Sequence, residues 1–86
     1  MIAGEIKCGE DFFLSTGGES GRWFRRLNLS NVPGILPIQV LPDAATGIPT
    51  IGHQNSLIVQ ECRTGSFFWI DTDVPVEQPS DEEEDG

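Results

Sequence analysis

Three of the five basic residues in this 86-residue chain fall within one stretch that also carries two aromatic side chains. The stretch consists of Arg22, Trp23, Phe24, Arg25 and Arg26. Alternate residues of a β-strand share a face, so Phe24 is predicted to lie beside Arg22 and Arg26. A phenyl ring between two guanidinium groups suits single-stranded nucleic acid, because the ring can stack on a base while the arginines meet phosphates. The alternative is that Trp23 and Leu27 are core residues and the arginines only solubilise the opposite face.

The end of the chain is strongly acidic. Six of the fourteen acidic residues lie in the last ten positions, so residues 1–76 carry a net charge of −3 out of a total of −9. A run of like charges without apolar residues cannot offset its ordering entropy, which predicts disorder over residues 76–86. Such a tail can solubilise the protein, dock on a basic protein surface, or compete with nucleic acid for the protein's own basic face. The predicted docking residues are Asp81, Glu82, Glu83, Glu84 and Asp85.

Residues that could support catalysis or metal binding are few and scattered. Cys8, His53 and Cys62 lack the short ligand spacing of a zinc site, and no group can be assigned to orient a cysteine–histidine pair. The glycines of residues 17–21 are not followed by the lysine and helix that a phosphate-binding loop requires. We therefore expect a protein that is not an enzyme and that holds no metal and no cofactor.

Strand signals outnumber helix signals along the chain. Ten glycines and six prolines interrupt the candidate helices. The predicted strands cover residues 2–8, 12–15, 22–29, 35–41, 57–62 and 67–70. The second and third are predicted to form a hairpin around a glycine-rich loop, and the last two are predicted to pair across a tight turn at residues 63–66. Residues 42–54 are predicted to be a long irregular loop with one short extended piece. Five or six short strands predict an all-β fold, a small OB-like or SH3-like barrel over residues 1–75 that is followed by the disordered acidic tail at 76–86.

The composition also bears on where the protein works. Two cysteines are too few for a disulfide-stapled secreted domain. Charged residues from Glu5 to Asp11 interrupt the first apolar stretch, so no signal peptide is expected, and no apolar run is long enough to cross a membrane. We expect a cytoplasmic protein with reduced thiols and no membrane contact.

Three short segments carry a resemblance to a known family. The chain opens with Met1-Ile2 and then Glu5-Ile6-Lys7, its glycine loop at residues 17–21 precedes basic and aromatic residues, and Gly65-Ser66 comes shortly before Ile70-Asp71. In these positions the chain resembles the first strand, the DNA-binding wing and the last core strand of the gene V-type single-stranded-DNA-binding proteins of filamentous phages. The resemblance implies a five-stranded OB-like barrel, a symmetric homodimer and cooperative coating of single strands. It also implies phosphate contacts and base stacking by the stretch of residues 22–26.

Two functions follow from these observations. The first is binding of single-stranded nucleic acid through the Arg/aromatic strand, with the acidic tail as a regulatory or docking segment. Five cations supply only a small phosphate footprint, so this function requires a dimer or a weak site. The alternative is a phage-type accessory or inhibitor module that binds a basic protein partner. One form of this hypothesis is that the module mimics nucleic acid. The overall negative charge favours the alternative, and the Arg/aromatic strand favours the first.

Overall fold

Seven short β-strands and two 3₁₀ helices form the regular structure in a computed structural model that describes residues 1–18, 20–32, 34 and 38–79. The strands are β1 (Asp11–Leu14), β2 (Trp23–Arg26), β3 (Val40–Pro42), β4 (Pro49–Ile51), β5 (Ser56–Glu61), β6 (Phe67–Asp71) and β7 (Val76–Glu77). The 3₁₀ helices are Ala3–Glu5 and Leu29–Asn31. The described residues include no α-helix, so the predicted all-β class is confirmed.

Five of the strands form one antiparallel sheet in the order β6-β5-β2-β1-β7, and β3 pairs with β4 in a separate two-stranded ribbon. The predicted hairpin is present, because β1 pairs with β2. Within the described residues the outer strands β6 and β7 do not pair with each other, so the sheet is open and the prediction of a closed barrel is wrong. Strand β7 has only two residues, and β6 is instead bridged to the ribbon between Asp43 and Trp69.

The beginning of the chain is not the predicted strand. Residues Ala3–Glu5 form a 3₁₀ helix, whose Glu5 carboxylate accepts a hydrogen bond from the Ile2 backbone N–H at 2.9 Å. Ala3 and Ile6 are each 1% exposed, whereas Ile2 is 42% exposed. Buried positions three residues apart lie on one side of a 3₁₀ helix, which completes a turn every three residues. The alternation of apolar and charged residues over positions 2–8 predicted a strand, which has a period of two residues, whereas the structure has a 3₁₀ helix, which has a period of three.

Between β2 and β5, the strands do not begin and end at the predicted residues. Strand β3 begins later than the predicted strand at 35–41, and residues 35–37 lie outside the described part of the chain. Strand β4 falls inside the predicted loop at 42–54, for which one short extended piece is predicted, and it pairs with β3. The turn between them is closed by the Gly47 N–H, which donates to the Asp43 carbonyl at 2.7 Å, and Gly47 has a φ of 78° that favours glycine.

Aromatic rings form the centre of the core, on one face of the sheet. Phe24, on the central strand β2, is 0% exposed and lies opposite Phe12 of β1 in the pairing register. Its ring stacks on Phe12 at 5.9 Å between centroids and meets Phe68 edge-on at 5.6 Å. The alternative sequence-based assignment of Trp23 and Leu27 to the core is corrected, since both are only half-buried.

The ordered domain extends past its predicted end at residue 75. Val76 is fully buried and pairs with Leu14, and its N–H donates to the Met1 carbonyl at 2.9 Å. The start of the predicted disordered tail at residue 76 is therefore too early, because an apolar side chain at this position fills the core beside β1. The acidic residues 81–85 lie outside the described part, so their disorder stays a prediction. None of the described segments is a helix that could span a membrane.

We predict that Phe24→Ala lowers the free energy of unfolding by about 3–5 kcal/mol, because it removes a fully buried ring and leaves a cavity between two other rings. Urea unfolding followed by tryptophan fluorescence measures the change. Ile48→Ala is the control, since this side chain is 63% exposed and its truncation is expected to cost less than about 0.5 kcal/mol. Equal and small effects of the two substitutions would contradict the core assignment of Phe24.

Candidate interaction surfaces

The predicted nucleic-acid stretch is divided between the two faces of the sheet. Arg22 and Arg26 share the core face with Phe24, as the alternation of strand residues requires. Trp23 and Arg25 lie on the opposite face. Because the Phe24 ring is fully buried, it cannot stack on a base without leaving the core, and its predicted role as a stacking residue is corrected.

Arg22 closes one end of the aromatic core through an ion pair. Its Nε and Nη2 atoms donate to the two carboxylate oxygens of Glu61 at 2.9 and 3.1 Å. Its guanidinium carbon lies 5.1 Å from the ring centroid of Phe24 and 4.8 Å from that of Phe68. Glu61, only 8% exposed, also accepts a hydrogen bond from the Thr64 hydroxyl at 3.0 Å. This arginine is held by the protein itself, in a bidentate geometry that few other interactions match in strength.

The hydrogen bond from Arg22 lowers the pKa of Glu61, and burial opposes this shift only in part. The same hydrogen bond raises the pKa of Arg22. Both groups therefore stay charged across the neutral range, and the ion pair persists there.

Arg26 is half-buried beneath the first segment of the chain. Its Nη1 atom donates to the Ile6 carbonyl, and its Nε atom is buried with no hydrogen-bond partner among the described residues. No carboxylate of the described part of the chain forms an ion pair with this guanidinium. Burying a cation without a counter-charge is costly, and Arg26 is a half-buried arginine that the described structure leaves without an ion pair.

The other side of the sheet forms a surface that we call the open face. It consists of Trp23, Arg25, Gln60, Cys62 and Phe67, which the pairing register places side by side. Arg25 donates from Nε to Asp11 at 2.8 Å and remains 52% exposed. Trp23 packs on Phe13 at 4.9 Å between ring centroids. Partial burial, followed by the charge of Asp11, raises the pKa of the Cys62 thiol, so this thiol is protonated at neutral pH.

A cavity of about 500 Å³ lies between the tip of the β1–β2 hairpin and the β5–β6 turn. Arg22, Trp23 and Arg63 are among the residues that line it. Arg63 makes no ion pair or hydrogen bond with its side chain in the described part of the chain. Sequence reasoning missed Arg63, because only the pairing of β5 with β2 brings this turn beside the hairpin tip.

A second surface, the aliphatic face, lies on the β3–β4 ribbon. Val40 and Ile51 are cross-strand partners and therefore point to the same side, with 56% and 54% of their surface exposed. Ile38, two residues before Val40, is 73% exposed. Ile48 is 63% exposed, but it lies three residues before Ile51, so alternation places it on the opposite side of the ribbon. Sequence reasoning did not assign this surface, because no local pattern shows that Val40, in the predicted strand, pairs with Ile51, in the predicted loop.

Carboxylates lie at the turn end of the β3–β4 ribbon. A groove of about 320 Å³ is lined by Ile48 and Pro49 on one side and by Asp43 and Asp71 on the other. The Asn55 N–H donates to His53 Nδ1 at 3.1 Å, so His53 Nε2 carries the proton and donates to Asp71 at 3.1 Å. No cluster of metal-ligating side chains occurs in the part of the chain that the structure describes. The groove therefore combines aliphatic surface with negative charge.

Comparison of the chain with protein-family models, curated proteins and solved structures finds no match. The resemblance to the gene V-type proteins accordingly stays a prediction. The function must be inferred from these surfaces alone.

We predict that the Arg22–Glu61 ion pair stabilises the fold at neutral pH and ceases to do so in acid. A carboxyl group whose pKa is lowered by folding stabilises the native state above its unfolded pKa of about 4.3, and this contribution is lost as the pH falls through the folded pKa. The difference in urea midpoint between the unmodified chain and Glu61→Gln should therefore be largest near neutral pH and shrink below about pH 4. Glu77→Gln, at an exposed strand position, controls for the loss of one negative charge. A midpoint difference for Glu61→Gln that does not change with pH would contradict the assignment.

Proposed function

We propose that this chain is a small, non-enzymatic interaction module that binds a protein partner through the aliphatic face of the β3–β4 ribbon. The observation that carries the proposal is the cross-strand pair of Val40 and Ile51, more than half exposed, with the exposed Ile38 two residues before Val40. Soluble domains seldom expose contiguous aliphatic surface without use, and such patches mark interaction sites. A ribbon outside the main sheet also presents this surface without disturbing the aromatic core.

Charge indicates the kind of partner. Asp43 and Asp71 line the groove at the turn end of the ribbon, and the whole chain carries a formal charge of −9. A partner with an apolar patch bordered by lysine or arginine would be attracted at long range and matched at contact. A second copy of the chain would bring the same negative charge to the interface, so the proposal commits to a basic partner of different sequence.

Binding of single-stranded nucleic acid is the second candidate function, now with a different site. Arg63 forms no ion pair among the described residues, although its charge acts on nearby Glu61, and it borders the same cavity as Trp23. Arg25 continues this positive surface on the open face. Two observations weigh against this function: Arg22 and Arg25 are paired with carboxylates, and residues 1–76 carry a net charge of −3.

We predict that the double substitution Val40→Thr and Ile51→Thr abolishes partner binding and leaves the fold intact. Threonine keeps the β-branched shape that suits a strand but adds a hydroxyl to the exposed surface. Affinity capture from source cells should yield a basic protein that the double variant retains at least about tenfold less well. Thr16→Ala, an exposed position in the turn after β1, is the control. A captured protein that binds both variants equally would contradict the proposed site.

The second candidate predicts binding of a fluorescently labelled oligo-dT that weakens steeply with salt. Trp23→Ala should weaken it by loss of stacking, worth about 1–3 kcal/mol per base, and Arg63→Gln should lower the salt dependence by one phosphate contact. The chain should be tested in full and truncated after Pro79, which keeps β7 intact. Absence of binding by both forms at low salt would rule this function out.

A further inference from the structure

The cavity at the tip of the β1–β2 hairpin has the size of a small-molecule site. Its volume of about 500 Å³ falls within the range of about 300–1,000 Å³ that is usual for such sites. The hairpin tip, with Ser20 and Arg22, forms one wall, and the β5–β6 turn, with Glu61 and Arg63, forms the other. A single inorganic ion would fill only part of this space, so the ligand that fits it is an organic molecule.

Backbone hydrogen bonds hold the two walls in place. The Cys62 N–H donates to the Trp23 carbonyl at 2.9 Å, which joins the turn to the hairpin. In the hairpin tip the Gly21 N–H donates to the Gly18 carbonyl at 3.0 Å. A Cβ atom at Gly21 would lie 2.9 Å from the Gly17 carbonyl oxygen, so the close approach of the two sides of the tip requires glycine. The cavity therefore lies between two hydrogen-bonded turns.

Two guanidinium groups and one carboxylate line the cavity. Arg22 and Arg63 are the cations, and Glu61 is the carboxylate. The three charges belong to one group, because the hydrogen bond from Arg22 lowers the pKa of Glu61 most and the charge of Arg63 lowers it further. Burial raises the pKa of the Cys62 thiol, which is therefore neutral at neutral pH. Among the described residues the lining is positive, although the whole chain has a formal charge of −9.

Both arginines retain donors for a ligand. Glu61 accepts from Nε and Nη2 of Arg22, whereas Nη1 of Arg22 has no hydrogen-bond partner among the described residues. The Arg22 guanidinium lies over the rings of Phe24 and Phe68, and its side chain is 47% exposed, so the side away from the rings is accessible. The exposed Arg63 forms no ion pair in the described part of the chain.

We propose that this cavity binds an organic phosphate monoester, with its phosphate on Arg22 and Arg63 and its organic part beside Trp23. A phosphate monoester carries a charge of about −1.5 to −2 at neutral pH and three oxygen acceptors, so it can accept from both guanidinium groups at once. A carboxylate has one charge and two oxygens, and Glu61 already offers these to Arg22. Trp23 lines the same cavity and is only half-buried, so an aromatic or apolar group can contact it.

A free nucleotide and the 5′ end of a single strand present the same chemistry, because each carries a phosphate monoester next to a base. The inference does not depend on the aliphatic face. It shares Trp23 and Arg63 with the second candidate function, but the phosphates inside a strand are diesters with a single charge. Binding of a monoester and binding along a strand can therefore be measured separately.

Calorimetric titration of the full chain with adenosine 5′-monophosphate at low salt tests the site. This nucleotide should bind at least about tenfold more tightly than adenosine or inorganic phosphate, since each of these lacks one half of the ligand. Arg63→Gln should weaken its binding at least about fivefold by removing a charged phosphate contact. Lys7→Gln is the control, because it removes the same charge before β1, at the end of the sheet away from the hairpin tip, and should change the affinity less than about twofold.

Trp23→Ala separates contact with the organic part from damage to the fold. It should weaken binding of adenosine 5′-monophosphate and leave binding of inorganic phosphate unchanged. Two forms of oligo-dT, with and without a 5′ phosphate, then identify the source of the monoester. Tighter binding of the phosphorylated oligo-dT than of the nucleotide indicates a strand end, and the reverse order indicates a free nucleotide. Either order supports the phosphate site.

Three results would overturn the proposal. They are no binding of adenosine 5′-monophosphate at millimolar concentration, equal binding of this nucleotide and adenosine, and equal losses of affinity in Arg63→Gln and Lys7→Gln. The chain with Val40→Thr and Ile51→Thr should bind the nucleotide as the unmodified chain does. Failure of the aliphatic face as a partner site and failure of the phosphate site are therefore distinguishable.

Discussion

Burial of the Phe24 ring is the interaction on which the rest of the structure depends. Strand β2 is the middle strand of the five-stranded sheet, and Phe24 contacts Phe12 of β1 on one side and Phe68 of β6 on the other. A chain of 86 residues has a small hydrophobic core, so these three aromatic rings contribute a large part of the apolar surface that folding buries. Once Phe24 points inward, alternation sends Arg22 and Arg26 to the same side and Trp23 and Arg25 to the other.

The side of β2 that faces the core determines which partners each arginine can reach. Arg22 lies over the rings and forms a bidentate ion pair with Glu61, which is the nearly buried member of the pair. Arg26 meets the first segment of the chain and finds only a backbone carbonyl. Arg25 reaches the open face and pairs with Asp11, but remains half-exposed. A cluster that looks like one basic patch in the sequence is thus separated into a structural ion pair, an uncompensated cation and a surface residue.

The surfaces that remain differ in chemistry. The β3–β4 ribbon presents aliphatic side chains beside carboxylates, a combination that suits a basic protein with an apolar patch. The hairpin tip and the open face carry arginine and tryptophan, but carboxylates accompany two of the three arginines. Since phosphate binding depends on accumulated positive charge, the first surface supports the stronger functional proposal.

The sequence by itself determined the all-β class, the β1–β2 hairpin, the pairing partners β5 and β6, and the two-sided arrangement of residues 22–26, because these depend on local periodicity and turn residues. It could not determine which side of β2 faces the core, since both sides carry apolar and charged residues and only the register against Phe12 and Phe68 distinguishes them. It also predicted the wrong period for residues 2–8 and a closed barrel. Three features depend on contacts between residues far apart in the chain. They are whether the sheet closes into a barrel, how exposed Val40 and Ile51 are, and how near Arg63 lies to Trp23. Only the tertiary structure decides these features, because no local preference specifies a long-range pairing.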